Sequence, residues 1–375
     1  MTDSFTLVMT DGLRWLGEPI AVAGYDGAIA AGARFGLNGE RMLFEDVYPD
    51  GSLVFRVSRE TKGVWRTREA AAPQHPLRAC VEVLARALGF PLFGVTGPEL
   101  PARYHERFTE WLAAGGAADM DFMQRHAEKR RMPELVLSGA QSVLVLATPY
   151  PREAGGGVQA KVARYALGRD YHQVLPGRLA VLRRYLEKRG GRCYTSVDTG
   201  PVLERAYAEQ AGVGWIGKNG NLISRRYGSY IFLGTVWTTL ALARDAPHED
   251  FCGVCVACLE GCPTQAITRP GWVESKRCIS YLTIEQRGEP ASDAPLVREW
   301  VYGCDVCQEV CPWNRFAQPV VIEKLAPLHL FPETPQAWLA LSDEAAQETL
   351  AGTALRRAGP EGLRRNARAL LKIIP

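Results

Sequence analysis

Apolar and polar residues alternate in the first part of the chain, a pattern that predicts β-strands. The turn sequence Tyr48-Pro49-Asp50-Gly51 is flanked by apolar residues at every second position, namely Met42, Phe44, Leu53, Phe55 and Val57. Such an arrangement is typical of a β-hairpin. We therefore expect residues 1–75 to form a small β-rich extension. Residues 70–76, rich in alanine and proline, are predicted to be a linker, so that a new domain begins near His75.

Beyond the linker, helical spacing alternates with short apolar runs. Helices are predicted over residues 77–88 and 179–188, and strands over 142–147, 192–197 and 230–236. This order predicts an α/β (α+β) domain over residues 76–245. Pro201 suits the first turn of a further helix.

Composition is that of a soluble globular protein, with 375 residues, 47% of them hydrophobic and 23% charged. No apolar stretch is long enough to cross a bilayer. The net charge of +3 is too small to prove a nucleic-acid partner. The charge distribution is more informative, because residues 353–375 contain six basic residues against the single acid Glu361. Residues 338–350 and 363–371 have helical patterns, so this basic run is either a phosphate-binding surface or a solvated helix face.

Eight of the ten cysteines fall within sixty residues, in the order of a bacterial two-cluster ferredoxin. The first run is C-x-x-C-x-x-C-x-x-x-C-P, and the second repeats it with one gap expanded. In such a fold the fourth cysteine of each run crosses to the other cluster. The sequence thus predicts two [4Fe–4S] clusters over residues 246–318, one held by Cys252, Cys255, Cys258 and Cys311, the other by Cys262, Cys278, Cys304 and Cys307.

Disulfides and zinc are the competing interpretations of these cysteines. A secreted disulfide scaffold is small and carries a signal peptide, but residues 1–10 have neither a basic start nor a sustained apolar core. Zinc needs four thiolates per site and has no use for the closely spaced third cysteine. Iron–sulfur clusters are favoured, with Cys80 and Cys193 as buried thiols. We expect a reducing, cytoplasmic compartment.

Asp198 and a glycine-rich loop are the candidate site features of the α/β domain. Asp198 lies between a predicted strand and a predicted helix, where open α/β folds bind their ligands, so it is a candidate catalytic acid. Its spacing alone favours a helix N-cap instead, a position that Thr199 also suits. The glycines of residues 212–220 allow the backbone to approach a large ligand, although glycines also serve ordinary tight turns.

Several long motifs resemble epoxyqueuosine reductase. They begin at Ala163 (ARYALGRDYH), Val197 (VDTGPVLER), Ala211 (AGVGWIGKN), Cys278 (CISYLTIE) and Gly303 (GCDVCQ), and a last one is CPWN from Cys311. The resemblance runs from about residue 76 to the C-terminus. It implies a cobalamin-dependent oxidoreductase that reduces epoxyqueuosine at the wobble position of tRNA to queuosine.

The resemblance also implies residue roles. Asp198 matches the family's proton donor, which favours catalysis over capping, and Arg130 matches an arginine near the corrin. Lys218 and Asn219 are candidates to contact corrin amides or phosphate. The expected partners are tRNA and an external low-potential electron donor, with the protein a monomer and residues 319–375 a short helical region that contacts tRNA or caps the cysteine domain. A corrinoid reductive dehalogenase-like enzyme and a ferredoxin-type electron carrier remain the alternatives.

Overall fold

The structure of the chain, a computed structural model, describes residues 5–10, 14–34, 42–57, 67–69, 76–151, 159–288, 297–328 and 331–372. Most of the predicted linker, residues 70–75, lies outside these ranges. No helix in the described part of the chain is long and apolar enough to span a membrane.

In the residues that the structure describes, the N-terminal extension is a five-stranded sheet with one helix. Its elements are β1 (Phe5–Thr10), β2 (Arg14–Val22), α1 (Gly24–Arg34), β3 (Met42–Val47), β4 (Ser52–Val57) and β5 (Thr67–Glu69), in the strand order β3-β4-β1-β2-β5. The predicted hairpin is confirmed, because β3 and β4 pair antiparallel across the Tyr48–Gly51 turn. Buried Leu53 and Phe55 join the same hydrophobic core as Leu182 of the next domain. The extension therefore shares a core with that domain, where burial of apolar area stabilises both.

The α/β domain is built on a four-stranded sheet. Its elements are α2 (Leu77–Ala87), β6 (Leu92–Thr96), α3 (Ala102–Ala113), α4 (Asp121–Arg125), α5 (Ala127–Arg131), β7 (Ser142–Pro149), β8 (Lys161–Val162), α6 (Tyr171–Glu187), β9 (Cys193–Ser196), α7 (Glu204–Gln210), β10 (Trp215–Ile216), β11 (Leu222–Ile223) and β12 (Ile231–Thr238). The sheet order is β6-β7-β12-β9 and every pair is antiparallel. Residues of α2 and α6 cover one face and residues of α7 the other, which buries β7 completely. The strands predicted at 142–147, 192–197 and 230–236 are all present.

The predicted helix cap at Asp198 or Thr199 is wrong. The helix α7 begins only at Glu204, and its N-cap residue is Leu203. Asp198 lies in a turn after β9 with a left-handed backbone angle, φ +56°. The Thr199 amide donates to the Val197 carbonyl at 2.6 Å within that turn, so neither side chain is at the helix terminus.

The cysteine domain and the C-terminal helices form a second core. The former contains α8 (Ala257–Glu260), β13 (Ile267–Arg269), β14 (Trp272–Val273), α9 (Ile279–Ile284), β15 (Trp300–Tyr302) and α10 (Val306–Glu309), and the latter are α11 (Pro335–Ala340), α12 (Asp343–Leu350) and α13 (Gly359–Leu371). The strand β15 pairs in parallel with β8, which ties this core to the α/β domain.

The helix predicted over 338–350 is two helices. The Ser342 hydroxyl accepts a hydrogen bond from the Ala345 amide at 3.1 Å, and this cap starts α12 after α11 has ended. Leu363, Ala367 and Leu370 of α13 are buried against α9 and β15. The C-terminal helices thus cap the cysteine domain, one of the two roles expected for them.

Candidate active site

The first set of thiols combines the first cysteine run with the last cysteine of the second. Burial and the nearby sulfurs of Cys252 and Cys311 raise the pKa of Cys258 to about 11. Cys311 lies in turn beside Cys252 and Cys255, and burial raises its pKa. The four sulfurs line one cavity together with Pro312 and Trp313. This grouping is the crossing arrangement predicted from the spacing.

The second set lies deeper. Burial and the neighbouring Cys278 and Cys304 raise the pKa of Cys307 well above its ordinary value, and Cys262 adds to this effect. Among the described residues, no three His, Cys, Asp or Glu side chains are placed to hold a single metal ion. A cubane does not need such a site, because its thiolates bind separate irons around a cage.

The glycine loop and its two polar residues brace both cysteine runs. Trp215 of β10 donates its indole N–H to Cys252 Sγ at 3.4 Å. Lys218 Nζ donates to the carbonyls of Gly253 at 2.6 Å and Cys255 at 3.0 Å, and Asn219 Nδ2 donates to the Cys307 carbonyl at 3.3 Å. We expected Lys218 and Asn219 to contact corrin amides or phosphate; here their donors bond to the cysteine loops, and a corrin contact stays a prediction.

The glycines of this loop serve the β10–β11 hairpin itself. A Cβ atom at Gly214 would lie 2.3 Å from the Ile223 carbonyl oxygen, so a side chain there would block the approach of the two strands. Of the two uses that the sequence left open for these glycines, Gly214 serves the tight turn within the protein.

Asp198 presents its carboxylate at the end of β9. Its side chain is 63% exposed, and Oδ2 accepts hydrogen bonds from the Tyr171 hydroxyl at 3.0 Å and faces His172 Nε2 at 3.2 Å. The backbone N–H of Asp198 donates to both carboxylate oxygens of Glu204, at 3.0 and 3.1 Å. Aspartate tolerates the left-handed region better than most residues, and the Glu204 contacts hold it there. The turn thus fixes an accessible carboxylate.

The charges around Asp198 set its protonation. Desolvation raises the pKa of Asp198, but the hydrogen bond and positive charge of His172, the hydrogen bond from Tyr171 and the charge of Arg205 together lower it more, so that the pKa lies below its ordinary value. Burial and the Asp198 carboxylate raise the pKa of Glu204 to about 8. For a general acid a pKa near neutrality is favourable, and the structure gives Asp198 the opposite shift.

Arg130 lies near this carboxylate and is itself buried, with 6% of its surface exposed. Its Nη1 donates to the carbonyl of Met123 at 3.1 Å. Burial lowers the pKa of the guanidinium, and the attraction of Asp198 opposes that shift. The structure therefore brings Arg130 and Asp198 together, whereas it places Lys218 and Asn219 at the cysteine loops.

Three functional candidates escaped the sequence reasoning. Tyr171, His172 and Glu204 each lie within a family motif, but nothing else in the sequence around them indicates a role. The one indication in the sequence was that they share motifs with Asp170 and Asp198. Only the fold brings these two motifs together.

Comparison with known proteins agrees with the resemblance of the motifs. Residues 130–199 match the family model "Epoxyqueuosine reductase QueG, DUF1730", and residues 251–314 match "4Fe-4S double cluster binding domain". Epoxyqueuosine reductases of Synechocystis sp. and Gloeobacter violaceus are 45% and 43% identical to the chain. These alignments cover 71% and 79% of this chain and 95% and 96% of the relatives.

Solved structures agree with this comparison. A crystal structure of epoxyqueuosine reductase with an epoxyqueuosine-modified tRNA-Tyr stem loop superposes with a TM-score of 0.73 at 30% identity, covering 78% of this chain and 80% of that one. The Bacillus subtilis enzyme, in a structure whose catalytic loop is swung out of the active site, gives 0.70 at 29% identity over the same shares. With its two thiol sets, its exposed aspartate and this identity over most of the relatives' length, the chain belongs to the epoxyqueuosine reductase family.

Proposed function

We propose that this protein reduces epoxyqueuosine at the wobble position of tRNA to queuosine. The observation that carries the proposal is the exposed Asp198 carboxylate, held at the end of β9 in a chain of this family that also carries two sets of four thiols. An electron carrier would need the thiols alone. It would leave the Asp198 turn and its hydrogen-bonded neighbours without a task.

The reaction consumes two electrons and two protons, because the epoxide oxygen leaves as water and an alkene remains. Asp198 is the proposed proton donor to the departing oxygen. Its carboxylate is accessible, and its orientation is fixed by Tyr171 and by the contact of its backbone N–H with Glu204. A donor held in place contributes through both proximity and acid catalysis.

Cysteine residues and polar side chains of the chain fit the family's cofactors. Two [4Fe–4S] clusters need eight thiolates, and the ligands we propose are the two sets described above. Cobalamin is a large ligand, and the 63% exposure of Asp198 leaves that carboxylate open to one, with Arg130 close by. When bound, the clusters and the corrin supply the electrons one at a time.

The tRNA-binding surface is proposed to lie near Asp198, on the segment between α12 and α13 and on the turn before α6. Arg356 and Arg357 are exposed, and their charges act on Asp170 and Asp198 respectively. Arg169 is also exposed and lies beside Gly352. Arg357 is paired with Glu285 at 2.6 Å, so Arg169 and Arg356 are the cations that we propose to bind the phosphates of a stem loop whose modified base reaches Asp198. Arg365 does not belong to this surface, because it is buried.

An external electron donor is proposed to reach the set that contains Cys255, since that thiol is exposed whereas Cys307 is surrounded by protein. Val254 next to it is 98% exposed, and Val256 and Val310 are partly exposed in the same domain. Lys218 at the Gly253 carbonyl and Arg225 over the Phe251 ring add positive charge beside Val254. A small acidic redox protein is the donor that fits, and we propose that it meets a monomeric enzyme in the cytoplasm.

The test is an anaerobic assay on a tRNA stem loop that carries epoxyqueuosine, with cobalamin and both clusters loaded. The wild-type protein should form queuosine. Asp198→Asn and Asp198→Ser should keep cofactors and thermal stability while turnover falls by about a hundredfold or more, because both lack the ionisable proton. Near-normal turnover by the Asn variant at saturating donor would remove Asp198 from the mechanism, and no product from the wild type would overturn the proposed function.

A further inference from the structure

A hydrogen-bonded series of three side chains begins at Asp198 and continues through His172 to Asp170. His172 Nε2 lies 3.2 Å from Asp198 Oδ2, and on the other side of the ring His172 Nδ1 lies 2.8 Å from Asp170 Oδ1. Asp170 is the N-cap residue of α6, and the same Oδ1 accepts the His172 backbone N–H at 3.0 Å. The imidazole also packs against the Tyr171 ring at a tilt of 32°, with the ring centroids 4.0 Å apart. The ring is thus held from three sides between two carboxylates.

The stoichiometry of the reaction indicates a function for these three hydrogen-bonded side chains. Each turnover requires two protons, and a single carboxyl group carries one proton at a time. Asp198 must therefore be reprotonated within the cycle, at a site that a bound tRNA covers. We propose that His172 stores the proton that recharges Asp198, and that Asp170 orients and stabilises the protonated ring.

The proton movement balances without any further reactant. At rest Asp198 is a carboxylate and His172 carries the proton, as the lowered pKa of the one and the raised pKa of the other require. As negative charge builds on the departing oxygen, the His172 Nε2–H moves to Asp198 Oδ2 and Asp198 passes a proton on to that oxygen, which leaves a carboxylate and a neutral imidazole whose Nδ1–H still bonds to Asp170. Solvent returns the proton to the imidazole, which is 32% exposed. His172 acts through Asp198, so it is a positioning and proton-storing residue, and the inference rests on the proposed role of Asp198.

The electrostatic surroundings support a protonated ring. Burial lowers the pKa of His172, but the hydrogen bonds and charges of Asp170 and Asp198 outweigh it and raise the pKa to about 9. The remaining charged or titratable groups that act on Asp198 or Asp170 are Arg130, Glu204, Arg205, Arg356, Arg357, Tyr165 and Tyr171. Because the His172 pKa is raised, the stored proton is present at neutral pH and is lost as the pH rises through about 9.

The first experiment measures the histidine directly, independently of activity. NMR titration of the full-length, cluster-loaded protein, with the signal assigned through His172→Gln, should give a pKa near 9. Asp170→Asn and Asp198→Asn should each lower it by about one unit or more, since each removes an adjacent negative charge. A His172 pKa at its ordinary value, unmoved by both variants, overturns the proposal.

The second experiment is the pH profile of kcat on the epoxyqueuosine stem loop. Wild-type activity should fall above a pH near 9, and Asp170→Asn should move this limb to lower pH. His172→Gln should lower kcat about tenfold or more with KM unchanged. The control His126→Gln should not change the pH at which kcat falls. If Asp198→Asn is inactive but His172→Gln keeps the wild-type kcat and the wild-type fall of activity at high pH, only the role of His172 is refuted. An active Asp198→Asn refutes the proposed acid, and the NMR result then still reports whether the pair forms.

Discussion

Arg365 offers the sharpest test of the structure against the charge pattern of the sequence. The pattern puts it in a basic run suited to phosphate, but its side chain is 8% exposed. Its Nη1 donates to the carbonyls of Gln286 at 2.7 Å and Gly288 at 3.0 Å, and its Nη2 donates to the Leu282 carbonyl at 2.9 Å. The guanidinium therefore joins α13 to the end of α9, the helix that follows Cys278. We expect Arg365→Met to destabilise the protein.

The size of the effect follows from the carbonyls left without a donor. Leu282 is buried, and an unsatisfied buried carbonyl costs about 1–3 kcal/mol. The carbonyls of Gln286 and Gly288 lie nearer to water and add about 0.5 kcal/mol each. The total is about 3 kcal/mol. At about 2.1 cal/mol/K per residue, unfolding of 375 residues has an entropy of about 0.8 kcal/mol/K, so that Tm should fall by about 4 °C.

The assay compares Arg365→Met with Arg356→Met, an exposed member of the same basic run. Thermal unfolding is followed anaerobically by circular dichroism, and stem-loop affinity is measured at several salt concentrations. Arg356→Met should keep Tm within about 1 °C and flatten the salt dependence by about 0.7–0.9 per lost phosphate contact. If Arg365→Met keeps the wild-type Tm and instead flattens the salt dependence, Arg365 contacts tRNA at the surface and does not join α13 to α9.

Two further predictions concern the thiol sets. Cys311→Ser should reduce the iron of the reconstituted protein from about eight to about four per chain, whereas Cys193→Ser should keep about eight; one zinc per four cysteines in the wild type, without charge-transfer absorption, would contradict the cluster assignment. Val254→Glu should slow reduction of the clusters by a reduced acidic ferredoxin about tenfold but leave reduction by dithionite unchanged, because a carboxylate at the 98% exposed position repels the protein donor. Val321→Glu, at a 53% exposed valine outside the cysteine domain, is the matched control, and equal rates for the two variants would exclude this docking face.

Much of this protein could be predicted from its sequence, because the relevant signals are local. Cysteine spacing depends on short cluster-binding loops, so the two runs, from Cys252 to Cys262 and from Cys278 to Cys311, together predicted two sets of four thiols. The buried strand β7 was equally plain, since eight consecutive positions are covered on both faces of a sheet. The hairpin around Pro49 and Asp50 followed from turn chemistry.

Contacts between distant segments decided the rest. His172 and Asp198 are 26 positions apart, and only the meeting of the α6 start with the end of β9 gives the carboxylate its partner. Lys218 and Asn219 look like ligand-binding residues in a loop, but the cysteine loops that take their donors lie 35 to 88 positions away. Arg365 looks like a surface cation in the sequence, but in the fold it is buried and bonded to the end of α9. A side chain's charge and hydrogen-bonding capacity are written in the sequence, whereas its burial and its partners depend on which segments pack together, and these determine its protonation and its role.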